Sequence, residues 1–332
     1  MVPEIRPLAG RWVRPIGLGC MSLATAYGRT PSDAEALAVL DRALALGVDH
    51  LDTARAYGGG RAEALIGRAL RGRREGVLLA SKGGLSYDRE GRRVVDGRPE
   101  ALRAAVEASL RALATDHIDL YYLHRVDERV PVEESVGALA RLVEAGAIGA
   151  IGLSEVSAAT LRRASAVHPI AAVQNEYSPW TRNPEIALLA ACRELGTALV
   201  AFAPLGRGAL AAGLPEPARL DDFRGRIPRF QPPHRERNAE LLARFAALAA
   251  EAGLTPAQLA LRWVLSRDER VHAIPGTASA AHLEENLAAL ECSVTAEILA
   301  EVDALLAPEQ VAGARYGPEQ RANVDTEEFP VP

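Results

Sequence analysis

The chain has 332 residues, 48% hydrophobic and 24% charged, with a formal net charge of −5, the make-up of a globular protein with a sizeable core. Its arginines are mixed with acids, as Arg73 and Arg74 beside Glu75 and Arg92 and Arg93 near Asp96 show, which argues against a nucleic-acid surface. No uninterrupted apolar run is long enough for a membrane span, residues 1–14 hold no apolar core of signal-peptide length, and Cys20, Cys192 and Cys292 form no CxxC pair, so a cytoplasmic protein with free thiols is expected.

In chain order, short apolar runs alternate with longer helical patterns. Residues 16–19 predict a first strand. Residues 33–46 then place Leu37, Leu40 and Leu44 on one helical face, with Ser32 as N-cap and Gly47 past the end. Further strands are expected at 49–52, 77–81, 118–123, 150–153, 171–173, 198–203 and 271–274. They are short and mostly unalternating, as parallel strands covered on both faces are. Helices are expected at 61–70, 99–113, 132–145, 157–167, 184–195, 256–266 and 279–290. Pro99, Pro131, Pro184 and Pro256 stand near helix starts, where proline is favoured.

Strand and helix in alternation, with no linker between halves, predict an α/β fold: one (β/α)8 TIM barrel over residues 1–332. A doubly wound sheet is the alternative, but the first strand leads into Gly17 and Gly19 without a third glycine at dinucleotide-loop spacing. Residues 210–233, rich in Pro, Arg and Asp, predict a long loop after the seventh strand, followed by an extra helix near 237–252. The polar tail 308–332 is expected on the surface or one barrel rim.

Chemistry in such a barrel collects at the C-terminal strand ends. The second strand ends in Asp52 and leads to Tyr57, the third ends in Lys82, and the fourth ends in His124. Lys82 is the only lysine among 38 Lys and Arg residues. A phenol is a weak acid at neutral pH unless its anion is stabilised. An ammonium beside it supplies that stabilisation, and a carboxylate keeps the ammonium charged and in place. Lysine's compact head fits this task, and the wide guanidinium does not. Tyr57, Lys82 and Asp52 therefore read as an acid–base set, with the Tyr57 pKa held down by Lys82 and His124 orienting a carbonyl oxygen. No HxH, HExxH or paired Cys/His spacing occurs near them, so no metal is expected.

At these residues the chain resembles the aldo-keto reductases. The resemblance spans nearly the whole length. It is carried by Asp52, Thr53, Ala54, Tyr57 and Gly58, then Lys82, then the run from Asp119 to His124. Tyr177, Ser178, Trp180, Thr181 and Arg182, with Pro204 to Gly208 and Asp222 to Arg224, look like a bacterial and plant branch of that family. The resemblance implies NAD(P)H-dependent reduction of an aldehyde or ketone, with Tyr57 as proton donor. NADP(H) is the favoured cofactor and NAD(H) the alternative. It implies that Ser154 and Gln174 hold the nicotinamide carboxamide and that Phe202 stacks on the ring. Pro204, Leu205, Arg207 and Gly208 would line the pyrophosphate, and Gly276, Thr277, His282, Glu285 and Asn286 the adenosine end. Glu155 stands where many members have asparagine. Residues 276–286 lack the lysine and arginine that many NADPH-specific members use on the 2′-phosphate.

Met21, Tyr27, Tyr87, Arg125 and Trp180 form the expected wall for a small-molecule carbonyl substrate. Two other readings of the same residues stand open: a cofactor-binding regulatory subunit, and a lyase forming a Schiff base on Lys82. Neither a nucleic-acid nor a membrane partner is expected, and no feature speaks to oligomeric state.

Overall fold

The computed structural model describes residues 4–25, 27–215 and 223–329. Before the barrel begins, Arg6–Leu8 (β1) and Arg11–Val13 (β2) pair antiparallel. Ala9 and Gly10 turn between them with φ of 48° and 74°, the left-handed pair a tight hairpin requires. This hairpin was not expected: its strands are too short for a periodic signal, and only Ala9-Gly10 marks the turn.

Eight parallel strands follow: Leu18–Gly19 (β3), His50–Asp52 (β4), Leu78–Gly83 (β5), Leu120–Leu123 (β8), Ile151–Ser154 (β9), Ile170–Glu176 (β10), Ala198–Phe202 (β11) and Val271–Ile274 (β12). The barrel closes where Gly17 N donates to Ala273 O at 2.9 Å and Ala273 N donates to Pro15 O at 2.8 Å. Closure is tight: a Cβ on Gly19 would lie 2.7 Å from Ile274 O. Between β5 and the next barrel strand, Leu85–Tyr87 (β6) and Arg93–Val95 (β7) form a second, unexpected hairpin. The outer helices are Asp33–Ala45 (α1), Arg61–Ala69 (α2), Pro99–Leu113 (α3), Val132–Glu144 (α4), Ala158–Ser165 (α5), Leu188–Leu195 (α6), Ala209–Ala212 (α7), His234–Glu251 (α8), Pro256–Leu265 (α9), Ala280–Ala288 (α10), Ala296–Leu305 (α11) and Pro318–Arg321 (α12). Ser32 caps α1 and forms a reciprocal box with Glu35.

Side chains alternate along each strand. One set packs outward against the helices, among them Leu79, Tyr121, Leu153, Val173 and Leu199. The other set, Leu78, Ala80, Leu120, Tyr122, Ala172, Val200 and Ile274, fills the barrel, and Leu8 and Val13 of the hairpin join it. The inward phase, continued upward, carries Asp52, Lys82, His124, Ser154, Gln174 and Phe202 to the C-terminal mouth.

The sixth barrel strand runs three residues past its expected end. Gln174, Asn175 and Glu176 are polar, yet they pair with Val200, Ala201 and Phe202 in register. The loop after β11 holds the short α7. Two single turns, Phe223–Arg226 and Pro228–Phe230, precede α8; Asp222 of the expected motif lies outside the described residues. Helix α11 was not expected. The tail runs along the rim at the end of β9, where Asp325 N donates to Glu155 O at 3.1 Å and Ala158 N donates to Glu327 Oε1 at 2.8 Å. Among the described residues no helix is long and apolar enough to cross a membrane.

Candidate active site

Asp52 ends β4 and Lys82 is the penultimate residue of β5. Tyr57 follows β4 on a turn whose next three residues, Gly58, Gly59 and Gly60, have φ of 59°, 63° and 98°. These left-handed angles swing the chain from Tyr57 straight into α2, and only glycine adopts such a run without strain. Lys82 is 0% exposed. Its ammonium donates to Asp52 Oδ1, to Thr53 O at 2.8 Å and to the Tyr57 hydroxyl at 3.3 Å. An ammonium has three protons, and each has an acceptor. The Tyr57 oxygen accepts from Lys82, so its own proton is free to point at a substrate. The His124 ring meets the Tyr57 ring edge-on, with centroids 5.9 Å apart.

The electrostatics follow from burial. Desolvation works against the Lys82 ammonium, but Asp52 and Tyr57 more than offset it, and its pKa is raised. Burial pushes the Asp52 carboxyl up, with Lys82 and Gln174 pulling back. For Tyr57 the expectation is reversed. Desolvation outweighs the pull of Lys82, Asp52 adds to it, and the phenol sits above its ordinary value. Lys82 is thus the main group that pulls the Tyr57 phenol down against its burial. Burial, then Arg125 and Lys82, hold His124 well below the usual histidine range, so its imidazole is neutral. Its Nδ1 is buried without a partner.

Around this centre, Ser154 ends β9 and its hydroxyl accepts from Arg125 Nη1 at 3.1 Å. Gln174 Nε2 donates to Asp52 Oδ2 at 2.7 Å. Phe202 ends β11 with part of its ring open. Thr277 accepts from Ser279 N at 3.0 Å, and Ser279 caps α10. In that segment Asn286 is buried, Glu285 half-buried and His282 exposed. Among the described residues no group of three or more His, Cys, Asp or Glu side chains is placed to hold a metal ion.

Residues 15–307 match the model of the aldo/keto reductase family. The chain belongs to that family. Solved structures agree over nearly the full length. The glycerol dehydrogenase AKR11B4 from Gluconobacter oxydans is 28% identical with a TM-score of 0.85, covering 96% of this chain and 99% of its own. The holo form of the aldo-keto reductase AKR11C1 from Bacillus halodurans is 28% identical with a TM-score of 0.77, over the same shares. An aldo/keto reductase from Klebsiella pneumoniae, in complex with NADP and acetate, is 30% identical with a TM-score of 0.74, covering 95% and 99%.

Several residues stand elsewhere than the sequence implied. The Arg207 guanidinium, expected along a pyrophosphate, turns inward to Glu176 at 2.6 Å, to Tyr27 Oη at 3.2 Å and to Tyr316 Oη at 3.3 Å. The adjoining turn can offer backbone there, because Arg207 and Gly208 adopt φ of 59° and 95°. Trp180 is 3% exposed, edge-on to Phe230 and under Arg229. It packs against the turn at Gly206, where an added Cβ would lie 2.9 Å from its ring. Tyr87 is 51% exposed on the β6–β7 hairpin, beside the mouth. Tyr27 packs under Arg224, and Met21 begins the turn after Cys20, whose N–H donates to Asp52 O at 2.8 Å. Glu155 accepts from Arg315 Nη1 at 2.8 Å and from Glu176 N at 2.9 Å. Sequence reasoning missed Glu176, Arg315 and Tyr316. Two acids at adjacent strand ends, Glu155 just past β9 and Glu176 closing β10, were the only signal that cations must arrive from elsewhere.

Proposed function

We propose that this chain reduces an aldehyde or ketone to the alcohol with NADP(H), Tyr57 delivering the proton. The observation that carries this is the Lys82 ammonium, whose three protons reach Asp52, Thr53 O and the Tyr57 hydroxyl at the barrel mouth. The cofactor is brought from the Klebsiella pneumoniae relative, which is in complex with NADP. The residues present fit the group. Ser154 already accepts from Arg125, so its proton is free to donate to a carboxamide oxygen. Gln174 spends Nε2 on Asp52, which leaves its Oε1 to accept from a carboxamide N–H. Phe202 offers a ring face. The adenosine end would find hydroxyls and the N-terminus of α10, a place that favours anions, but no lysine or arginine within residues 276–286.

When bound, the reduced nicotinamide supplies the hydride. The chain's residues then manage one proton. Tyr57 donates its O–H proton to the carbonyl oxygen as negative charge grows there. Lys82 stabilises the phenolate left behind, and Asp52 holds Lys82. Neutral His124, edge-on to Tyr57, orients the carbonyl. A charged Lys82 with all three protons engaged is a poor amine nucleophile, which weighs against the Schiff-base reading. The test is a titration with NADPH and NADH, followed by an aldehyde and ketone panel. Tyr57→Phe is expected to bind NADPH normally and to lose about 100-fold or more in turnover; near-full turnover would overturn the assignment.

A further inference from the structure

Resting on the carbonyl-reduction reading, we propose that the preferred substrate carries a carboxylate, anchored by Arg125 beside its carbonyl. Arg125 directly follows His124 and is 7% exposed. Its Nη1 donates to His124 O at 2.5 Å and to Ser154 Oγ at 3.1 Å, which fixes the guanidinium between the ends of β8 and β9.

Among the described residues, the buried lysines and arginines are Lys82, Arg125, Arg207 and Arg315. Three have a carboxylate: Lys82 has Asp52, Arg207 has Glu176 at 2.6 Å, and Arg315 has Glu155 at 2.8 Å. Arg125 has none, and its Nε is buried without a partner. Glu155 feels the charge of Arg125, but its oxygens are engaged by Arg315 and Glu176 N. A buried charge without a partner is costly in a folded protein, so an anion supplied from outside is the natural complement.

The free part of Arg125 also has the right shape. With Nη1 engaged, Nη2–H and the buried, unpartnered Nε–H remain on one edge, and a carboxylate that reaches Nη2 and uncovers Nε would complete the two-pronged fork. Its place matters as well. β8 and β9 are the fourth and fifth barrel strands. The cofactor's phosphates are assigned to the far side, at the seventh and eighth. The guanidinium instead adjoins His124, which packs on Tyr57. Arg93, from the β6–β7 hairpin, adds positive potential that reaches His124.

The test compares kcat/KM with NADPH for the three carboxybenzaldehyde isomers and their methyl esters. The best acid is expected to exceed its ester by about 10- to 100-fold at low salt, the worth of a charge-assisted pair. The advantage should shrink as ionic strength rises. Arg125→Met should bring the ratio to about one or below, and Arg125→Lys should keep part of it. Esters consumed as fast as acids by the wild type overturn the proposal, even where the variants do not fold. So does a ratio that survives in Arg125→Met, or a loss of NADPH affinity matching the loss for the acid, which would make Arg125 a cofactor residue. Failure of the underlying reading looks different: no NADPH oxidation with any aldehyde, acid or ester.

Discussion

Replacing Lys82 by methionine removes the ammonium while keeping most of the side chain's apolar stem. Lys82 Nζ lies 3.3 Å from the Tyr57 hydroxyl. At an effective permittivity of about 20, a full negative charge there is attracted by about 5 kcal/mol. A transition state with half the proton transferred uses about half of that. At 1.36 kcal/mol per decade, the expected loss in kcat lies between about 70-fold and about 5,000-fold. Asp52, already pushed up by burial, can take a proton once its cation is gone, so the fold should survive. Lys82→Arg should lose a comparable factor despite its charge, because a planar guanidinium cannot meet three acceptors grouped around one nitrogen. The assay is NADPH oxidation at saturating aldehyde, with NADPH affinity by fluorescence and circular dichroism as controls. A folded Lys82→Met that binds NADPH and turns over within threefold of wild type would refute the role assigned to Lys82.

Tyr57 is raised and His124 well lowered, so kcat for reduction should stay flat from about pH 6 to 8. It should fall only as the pH rises through the Tyr57 pKa, and an inflection near 6.5 in a pH–rate profile would contradict a neutral His124. Arg315→Met strands Glu155 in a buried position and should cost about 3–5 kcal/mol in urea unfolding; a loss under 1 kcal/mol would show that the tail is not clamped by this pair. His50 and His272 are buried, and desolvation lowers each to about 3. The unfolded chain therefore takes up their protons first. Stability should fall as the pH drops from about 6.5 towards 3, by about 1.4 kcal/mol per unit for each histidine. His50→Gln should flatten that slope, and an unchanged slope in urea midpoints against pH would count against a neutral buried His50.

Much of the architecture was legible because it rests on local rules. The barrel strands are apolar runs between helical periods, and Ser32 announces a cap that forms as a box with Glu35. Asp52, Lys82 and His124 were legible too, because a strand end is a local property and the two-residue alternation decides which side chains face inward. The hairpins were not: three-residue strands carry too little pattern, and only tertiary pairing stabilises them.

By itself, then, the sequence determined the barrel and the strand-end places of Asp52, Lys82 and His124, since spacing along one chain places those groups. Only the tertiary structure decided who partners whom. Glu155 meets Arg315 across 160 positions, Arg207 turns inward to Glu176, and among the described residues Arg125 is left without a carboxylate. It also reversed the expected direction for Tyr57, because desolvation is set by everything packed around the hydroxyl. Such pairings depend on distances in space, for which spacing along the chain carries no signal.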